Sequence, residues 1–262
     1  MGTQPNEIFK ASYEKLDPSQ QTPIKSDSEQ IVIKAPAGSG KTSVLTTAVA
    51  DYRYEHVIDR ICAITYTRAA RAEMEERLKQ MGIDDVEVTT IHVWCRNLLE
   101  DFAIKYDFKI RILTETDIKT ILQDIIQEYL IRSRLKSIKV DIVYSWVTGN
   151  KHMDVTDNYR RALAAIEARY NSYKRVNQLY DFTDYPLYLY DVMHTYNEAI
   201  NNIDALFVDE FQDVDPYQFW IFSKVNSNKK FFIGDAWQSI YAFRGDDGDA
   251  FNKLDDYDEF KL

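Results

Sequence analysis

Cysteine is scarce in this chain: Cys62 and Cys95 are the only two in 262 residues, far apart and with no second thiol near either. That spacing excludes a zinc knuckle and a disulfide framework, and it fits a reducing, cytoplasmic compartment. No apolar run approaches the roughly 20 residues that a membrane-spanning helix needs. The opening Met1-Gly2-Thr3-Gln4-Pro5-Asn6 lacks the basic-then-apolar pattern of a secretory signal. The expectation is a soluble protein without a membrane partner. Positive charge is also in deficit, with 32 lysines and arginines against 42 aspartates and glutamates, a formal net charge of −10. Such a balance argues against a surface that coats nucleic acid all over and leaves room for a local groove with basic and aromatic walls. Internal repeats and low-complexity tracts are absent.

What is present is ordinary globular composition in a chain longer than the usual single domain, so one large domain or a core with an insertion is expected. Short apolar runs that read as buried strands recur at Ile31 to Ala35, Ile61 to Thr65, Val86 to Thr90, Ala205 to Val208 and Lys230 to Ile233. Most are followed by helical patterns, the signature of a parallel sheet with crossover helices. From about Arg96 to Tyr180 the pattern is helical throughout. There Ile118, Ile121, Leu122, Ile125, Ile126, Tyr129 and Leu130 form one apolar face, and a second helix is expected from about Asp157 to Val176. The fold class expected is α/β, a parallel-sheet nucleotide-binding core in two parts, 1–95 and 181–262, interrupted by an all-helical subdomain over 96–180.

The segment Ala35-Pro36-Ala37-Gly38-Ser39-Gly40-Lys41-Thr42 follows the first strand and opens a helix. This is the strand, loop, helix context in which a phosphate loop works. Gly38 and Gly40 permit the tight turn that aims backbone N–H groups at phosphate oxygens, and the helix N-terminus adds its positive dipole end. Lys41 is placed for the β and γ phosphates of ATP, and Thr42 for Mg²⁺. The first position is Ala35 where the strict pattern has Gly. A metal-holding carboxylate is then expected on a neighbouring strand, and Leu206-Phe207-Val208-Asp209-Glu210 supplies an apolar strand ending in two acids. Asp209 is suited to Mg²⁺ and Glu210 to deprotonating an attacking water, which reads as hydrolysis of ATP. Two acids at a strand end, taken alone, are equally a solvated surface.

Around these two segments the chain resembles the UvrD/Rep/PcrA-like DNA helicases of superfamily 1, with a RecA-like core. Leu16-Asp17-Pro18-Ser19-Gln20 is similar to their upstream glutamine motif, which implies that Gln20 reads the adenine edge. Ala63-Ile64-Thr65-Tyr66-Thr67 with Ala72-Glu73-Met74, and Thr90-Ile91-His92, resemble segments that contact single-stranded DNA. Asp181-Phe182-Thr183-Asp184 resembles the segment that closes the helical insertion. Val208-Asp209-Glu210-Phe211-Gln212-Asp213 is similar to the magnesium motif, and Gly234 to Gly245 to the motif coupling ATP to DNA. In that last segment the resemblance implies that Gln238 senses the γ-phosphate and that Tyr241 and Phe243, beside Arg244, lie against bases. The chain departs from the family pattern at Arg68 and Ala69, where Asn-Lys is usual, at Ser43, where many members place an Arg near the adenine, and at Trp237.

Single strands are held by aromatic platforms and backbone cations, at about 1–3 kcal/mol of stacking per base. Tyr66, Tyr241, Phe243 and Trp237 are candidates for that platform, and each except Phe243 reads more often as core than as a base contact. His92 is open between a DNA contact and a histidine bonded to a backbone carbonyl. Thr65, Thr67 and Thr90 are open between phosphate donors and strand ends. The basic runs Arg132, Arg134, Lys136 and Lys139, and Arg160, Arg161, Arg169, Lys174 and Arg175, read first as solvated helix faces and second as contacts to duplex phosphates at a single-strand/double-strand junction.

Members of the resembled family carry a second motor domain beginning near an Asn-Tyr-Arg-Ser segment, which these 262 residues lack. The resemblance therefore implies the N-terminal motor half of an ATP-dependent, 3′ to 5′ DNA helicase serving DNA repair, completed by a second motor domain in cis or by a partner in trans. It also implies a poor ATPase in isolation. The alternative is a non-unwinding module in which ATP switches a DNA or protein contact in a repair or defence assembly.

Overall fold

A computed structural model of the chain describes residues 7–56, 60–133, 135–151, 153–236, 251, 254 and 256–262. In chain order the elements begin with α1 (Glu7–Glu14), α2 (Pro18–Ile24), β1 (Gln30–Lys34), α3 (Lys41–Glu55), β2 (Ile61–Thr65), α4 (Arg68–Gln80), β3 (Glu87–Thr90) and α5 (Ile91–Tyr106). They continue with α6 (Glu115–Arg132), α7 (Val140–Val147), α8 (Asp157–Asn177), α9 (Tyr185–Tyr196), β4 (Ala205–Val208), α10 (Pro216–Ser223), β5 (Lys229–Gly234) and β6 (Asp258–Lys261). Two compact units result, Met1–Asn97 with Leu189–Leu262, and Leu98–Tyr188, so the divisions fall inside α5 and α9. Among the described residues no helix is long and apolar enough to cross a membrane.

The first unit is built on a six-stranded sheet in the order β3-β2-β4-β5-β1-β6, with every pairing parallel. Its central strands are buried on both faces, which is why they read as unbroken apolar runs such as Ala205-Leu206-Phe207-Val208 rather than alternating ones. α3 lies over β2, β4 and β5, and carries Val44, Leu45, Ala48, Val49 and Ala50 into a core with Ile31, Ile33, Ala63, Phe207, Phe231 and Ile233. The acid pair is expected on a strand neighbouring the phosphate loop's strand, and the sheet order differs. β4, which carries the acid pair, is not a neighbour of β1; β5 stands between them. The phosphate loop and the acids still meet: Thr42, at the start of α3, comes within 3.4 Å of Asp209, and α3 packs over both β5 and β4.

The second unit is helical. α6 presents Ile118, Leu122, Ile125 and Ile126 to Val143, Trp146 and Val147 of α7 and to Ala162, Leu163, Ile166 and Tyr170 of α8, with Ile121, Tyr129 and Leu130 half-buried at the edge of this core. A Thr114 capping box starts α6 and Thr156 caps α8, fixing where each helix begins. At the far end of α8 a buried charge cluster forms. Lys174 Nζ donates to Asp181 Oδ2 at 2.8 Å and to Asp184 Oδ2 at 2.6 Å, and the Tyr170 hydroxyl donates to Asp181 Oδ2 at 2.8 Å.

Candidate functional site

The loop between β1 and α3 is anchored at its start by the Ala35 N–H, which donates to the Gly234 carbonyl of β5 at 2.9 Å. Gly38 and Gly40 then take left-handed φ values of 78° and 81°. A side chain at Gly38 would meet open space, so the demand there is conformational, whereas at Gly40 a Cβ would also come within 3.1 Å of Gln20 Nε2. Gly40 is the N-cap of α3 and offers no side-chain cap, so the N–H groups of the first helical turn are left for an anion. Ser39 Oγ is buried with no hydrogen-bond partner among the described residues. An orphaned hydroxyl in a loop that ends on an uncapped helix suits a phosphate better than it suits an ordinary turn.

Facing this loop, Asp209 sits just beyond β4 and is 2% exposed. Its Oδ1 accepts the Glu210 N–H at 2.9 Å, while Oδ2 lies 3.4 Å from Thr42 Oγ1. That is long for a hydroxyl–carboxylate hydrogen bond, so two hard oxygen ligands converge without satisfying each other. Burial, and next the charge of Glu210, push the Asp209 carboxyl up to about 6, against the pull of Lys41 and Thr42. A divalent cation is the partner that would restore its full charge. Glu210 has φ 47° and ψ 45°, a left-handed conformation that costs a non-glycine residue on the order of 1–3 kcal/mol. The strain turns its side chain to where Oε2 lies 3.9 Å from Lys41 Nζ. The phosphate loop, a hydroxyl, and two carboxylates thus fit ATP–Mg²⁺: Ser39, Lys41 and the α3 N–H groups would hold phosphates, and Thr42 and Asp209 the metal.

A cavity of about 320 Å³ adjoins the loop, lined by Asp17, Ser19, Gln20, Gly38, Ser39, Gly40 and Leu262. Gln20 is positioned by α2, whose capping box uses its Oε1 to accept the Asp17 N–H at 3.0 Å, while its Nε2 donates to the Ser39 carbonyl at 2.8 Å. A second N–H and a second lone pair stay available on that amide, so it braces the phosphate loop and still has an edge for a base. Ser43 Oγ accepts from Arg77 Nη1 at 2.9 Å, so α4 brings a guanidinium beside Ser43.

With this geometry in place, comparison with known proteins is specific. Residues 16–259 match the UvrD/REP helicase N-terminal domain. The chain belongs to that family. It is 30% identical over 254 residues to a probable DNA helicase II homolog of Mycoplasma capricolum, covering 88% of this chain and 35% of the relative. It is 27% identical over 255 residues to an ATP-dependent DNA helicase PcrA of Staphylococcus aureus and 28% over 261 residues to that of Bacillus subtilis, covering 88% of this chain and 34% of each relative. The chain therefore spans about a third of the length of these curated relatives.

For this family member the remaining expected residues fall into distinct settings. Thr65 is fully buried, and its hydroxyl reaches the Thr67 and Thr89 carbonyls at 3.3 and 3.5 Å, the setting of a residue that finishes a strand. Thr90 is buried at the end of β3, and His92 is exposed in the first turn of α5. Tyr66 is half-buried, with its hydroxyl donating to the Asp213 carbonyl, so the β2 end is tied to the turn that follows Glu210. Gln238, Tyr241, Phe243 and Arg244, with Trp237 and Arg134, lie outside the described residues. Sequence reasoning gave no role to Gln212, Arg77 or Gly234. Gln212 carried a signal, its place in the magnesium segment; Arg77 carried none, because its partner is 34 residues away.

Proposed function

We propose that this chain is the ATP-binding motor domain of an ATP-dependent DNA helicase, and that it works with a second motor domain supplied in cis or in trans. The observation that carries the reading is the convergence of Lys41 and Thr42 at the start of α3 on Asp209 and Glu210 at the end of β4. Bound magnesium would neutralise charge on the β and γ phosphates. Lys41 holds the γ-phosphate side of the nucleotide, and Thr42 and Asp209 orient the metal. Glu210 accepts a proton from the attacking water as its oxygen adds to the γ-phosphorus and ADP leaves. Gln20 braces the loop and addresses the base. Single-stranded DNA, at a junction with duplex and tracked 3′ to 5′, is the proposed substrate. Tyr66, Thr90, His92, Tyr241, Phe243 and Arg244 are the proposed contacts, with Gln238 linking them to the γ-phosphate. Residues 96–180 are proposed as an inserted helical subdomain between core segments 1–95 and 181–262.

The test measures ATP–Mg²⁺ binding and slow hydrolysis by the purified chain, with and without single-stranded DNA. Lys41→Ala is expected to lose binding by tenfold or more, roughly 1.4 kcal/mol. Glu210→Gln is expected to keep binding within about threefold, under about 0.7 kcal/mol, and to stop hydrolysis. Normal binding by Lys41→Ala would remove the phosphate loop from the function, and undiminished hydrolysis by Glu210→Gln would require another base.

A further inference from the structure

Gln212 is an uncharged residue only 7% exposed, set two positions after Glu210, and nothing in phosphate-loop chemistry requires it. Its side chain is used at both ends. Nε2 donates to Glu210 Oε2 at 2.9 Å, and Oε1 accepts the Asp235 N–H, just beyond β5, at 2.8 Å. Gly234 makes the second contact possible. A Cβ there would stand 2.4 Å from Gln212 Oε1, 2.8 Å from the Phe211 nitrogen and 3.0 Å from the Gln212 nitrogen, so the turn after Glu210 rests directly on the glycine backbone. The same glycine's carbonyl accepts the Ala35 N–H that starts the phosphate loop.

We propose that Gln212 is a positioning residue for hydrolysis: its amide fixes the Glu210 carboxylate relative to the end of β5 and, through Gly234, relative to the phosphate loop. The inference rests on the reading of Glu210 as the base. Oε2 of Glu210 faces both Gln212 and Lys41, whereas Oε1 has no partner among the described residues. A carboxylate held by one oxygen presents the other to water in a single orientation. An isolated carboxylate in a strained left-handed residue at a strand end has no such constraint on its side-chain torsions. Only a side chain with a donor and an acceptor at glutamine's reach makes both bonds. Glutamate keeps the acceptor for Asp235 and replaces the donor with a second negative oxygen; leucine keeps the bulk and loses both.

The test compares the 262-residue chain with Gln212→Glu, Gln212→Leu and Glu210→Gln in three measurements. These are the exchange of the Asp235 amide proton by NMR without nucleotide, ATP–Mg²⁺ affinity with a fluorescent analogue, and single-turnover hydrolysis of labelled ATP with protein in excess. Gln212→Glu is expected to retain Asp235 protection and to bind within about threefold of the parent, while hydrolysing about tenfold or more slowly, the scale of a misplaced reacting group. Gln212→Leu is expected to lose both the protection and the rate. Parent-like hydrolysis by Gln212→Glu would make the tie purely structural and overturn the proposal. So would an Asp235 amide that exchanges as fast in the parent as in Gln212→Leu, or one that loses protection in Gln212→Glu. Glu210→Gln turning over at the parent rate would instead refute the base reading of Glu210 on which the proposal stands.

Discussion

Replacing Lys174 with Met tests whether the helical unit is held by charge as well as by its apolar core. The Lys174 side chain is 7% exposed and that of Asp181 1%. Burial pushes the Asp181 carboxyl up, but the Lys174 charge and the hydrogen bonds from Lys174, Thr183 and Tyr170 outweigh it and hold it below the usual carboxylate value. Asp184 is moved the other way, chiefly by burial and then by the charge of Asp181. Methionine matches the length of the lysine stem but leaves two buried carboxylates without their cation. Removing one partner of a buried pair costs about 3–5 kcal/mol, because the other charge stays desolvated. Breaking an exposed pair such as Arg169–Glu128, 3.7 Å apart, costs about 0–1 kcal/mol. Lys174→Met is therefore expected to lower the free energy of urea unfolding by about 3–5 kcal/mol near pH 7, and Arg169→Met by less than about 1 kcal/mol. The pH dependence has a definite sign. Because the folded value of Asp181 is depressed, its ion-pair contribution is fully present above the ordinary aspartate value of about 3.9 and is lost as pH falls through the folded value. In Lys174→Met the stranded carboxylates take up protons on acidification, so the gap to the parent narrows from neutral pH towards pH 4. Far-UV circular dichroism with urea at both ends of that range, with hydrogen exchange over 157–184 to localise the effect, makes the measurement. A loss below about 1 kcal/mol at neutral pH, the size of an exposed pair, or a gap that widens on acidification, would refute the reasoning.

Substitutions at three further positions probe the nucleotide loop and the end of β2. Gly40→Ala places a Cβ in a left-handed residue 3.1 Å from Gln20 Nε2, whereas Gly38→Ala meets open space. Both are expected to lose about 1–2 kcal/mol of stability from backbone strain, with ATP–Mg²⁺ affinity falling further in Gly40→Ala; equal affinities would show that the Gln20 contact is slack. Tyr66→Phe removes the hydroxyl that donates to the Asp213 carbonyl and is expected to cost about 0.5–1.5 kcal/mol in thermal unfolding. Single-strand affinity should survive in Tyr66→Phe and drop in Tyr66→Ala, and a matching drop in both would mean that the hydroxyl rather than the ring is what serves DNA binding.

Local order and chemistry along the chain were written in residue type and spacing. The strands of the central sheet announce themselves as apolar runs because both faces are covered, so each is continuous rather than alternating: the runs at 31–35, 61–65, 86–90, 205–208 and 230–233 become β1 to β5 within about a residue at their ends. The long helices announce themselves by their apolar faces and caps, and the phosphate loop by glycines whose φ values no other residue adopts cheaply. What sequence does not contain is lateral order. Strand sequence is blind to which neighbour a strand pairs with, so the insertion of β5 between β1 and β4 came only from the tertiary structure, and with it the approach of Thr42 to Asp209. The same holds for contacts between residues remote in the chain, such as Gln212 with Asp235, Tyr66 with Asp213 and Arg77 with Ser43. Amide, phenol and guanidinium groups carry no periodicity of their own, and packing alone chooses their partners.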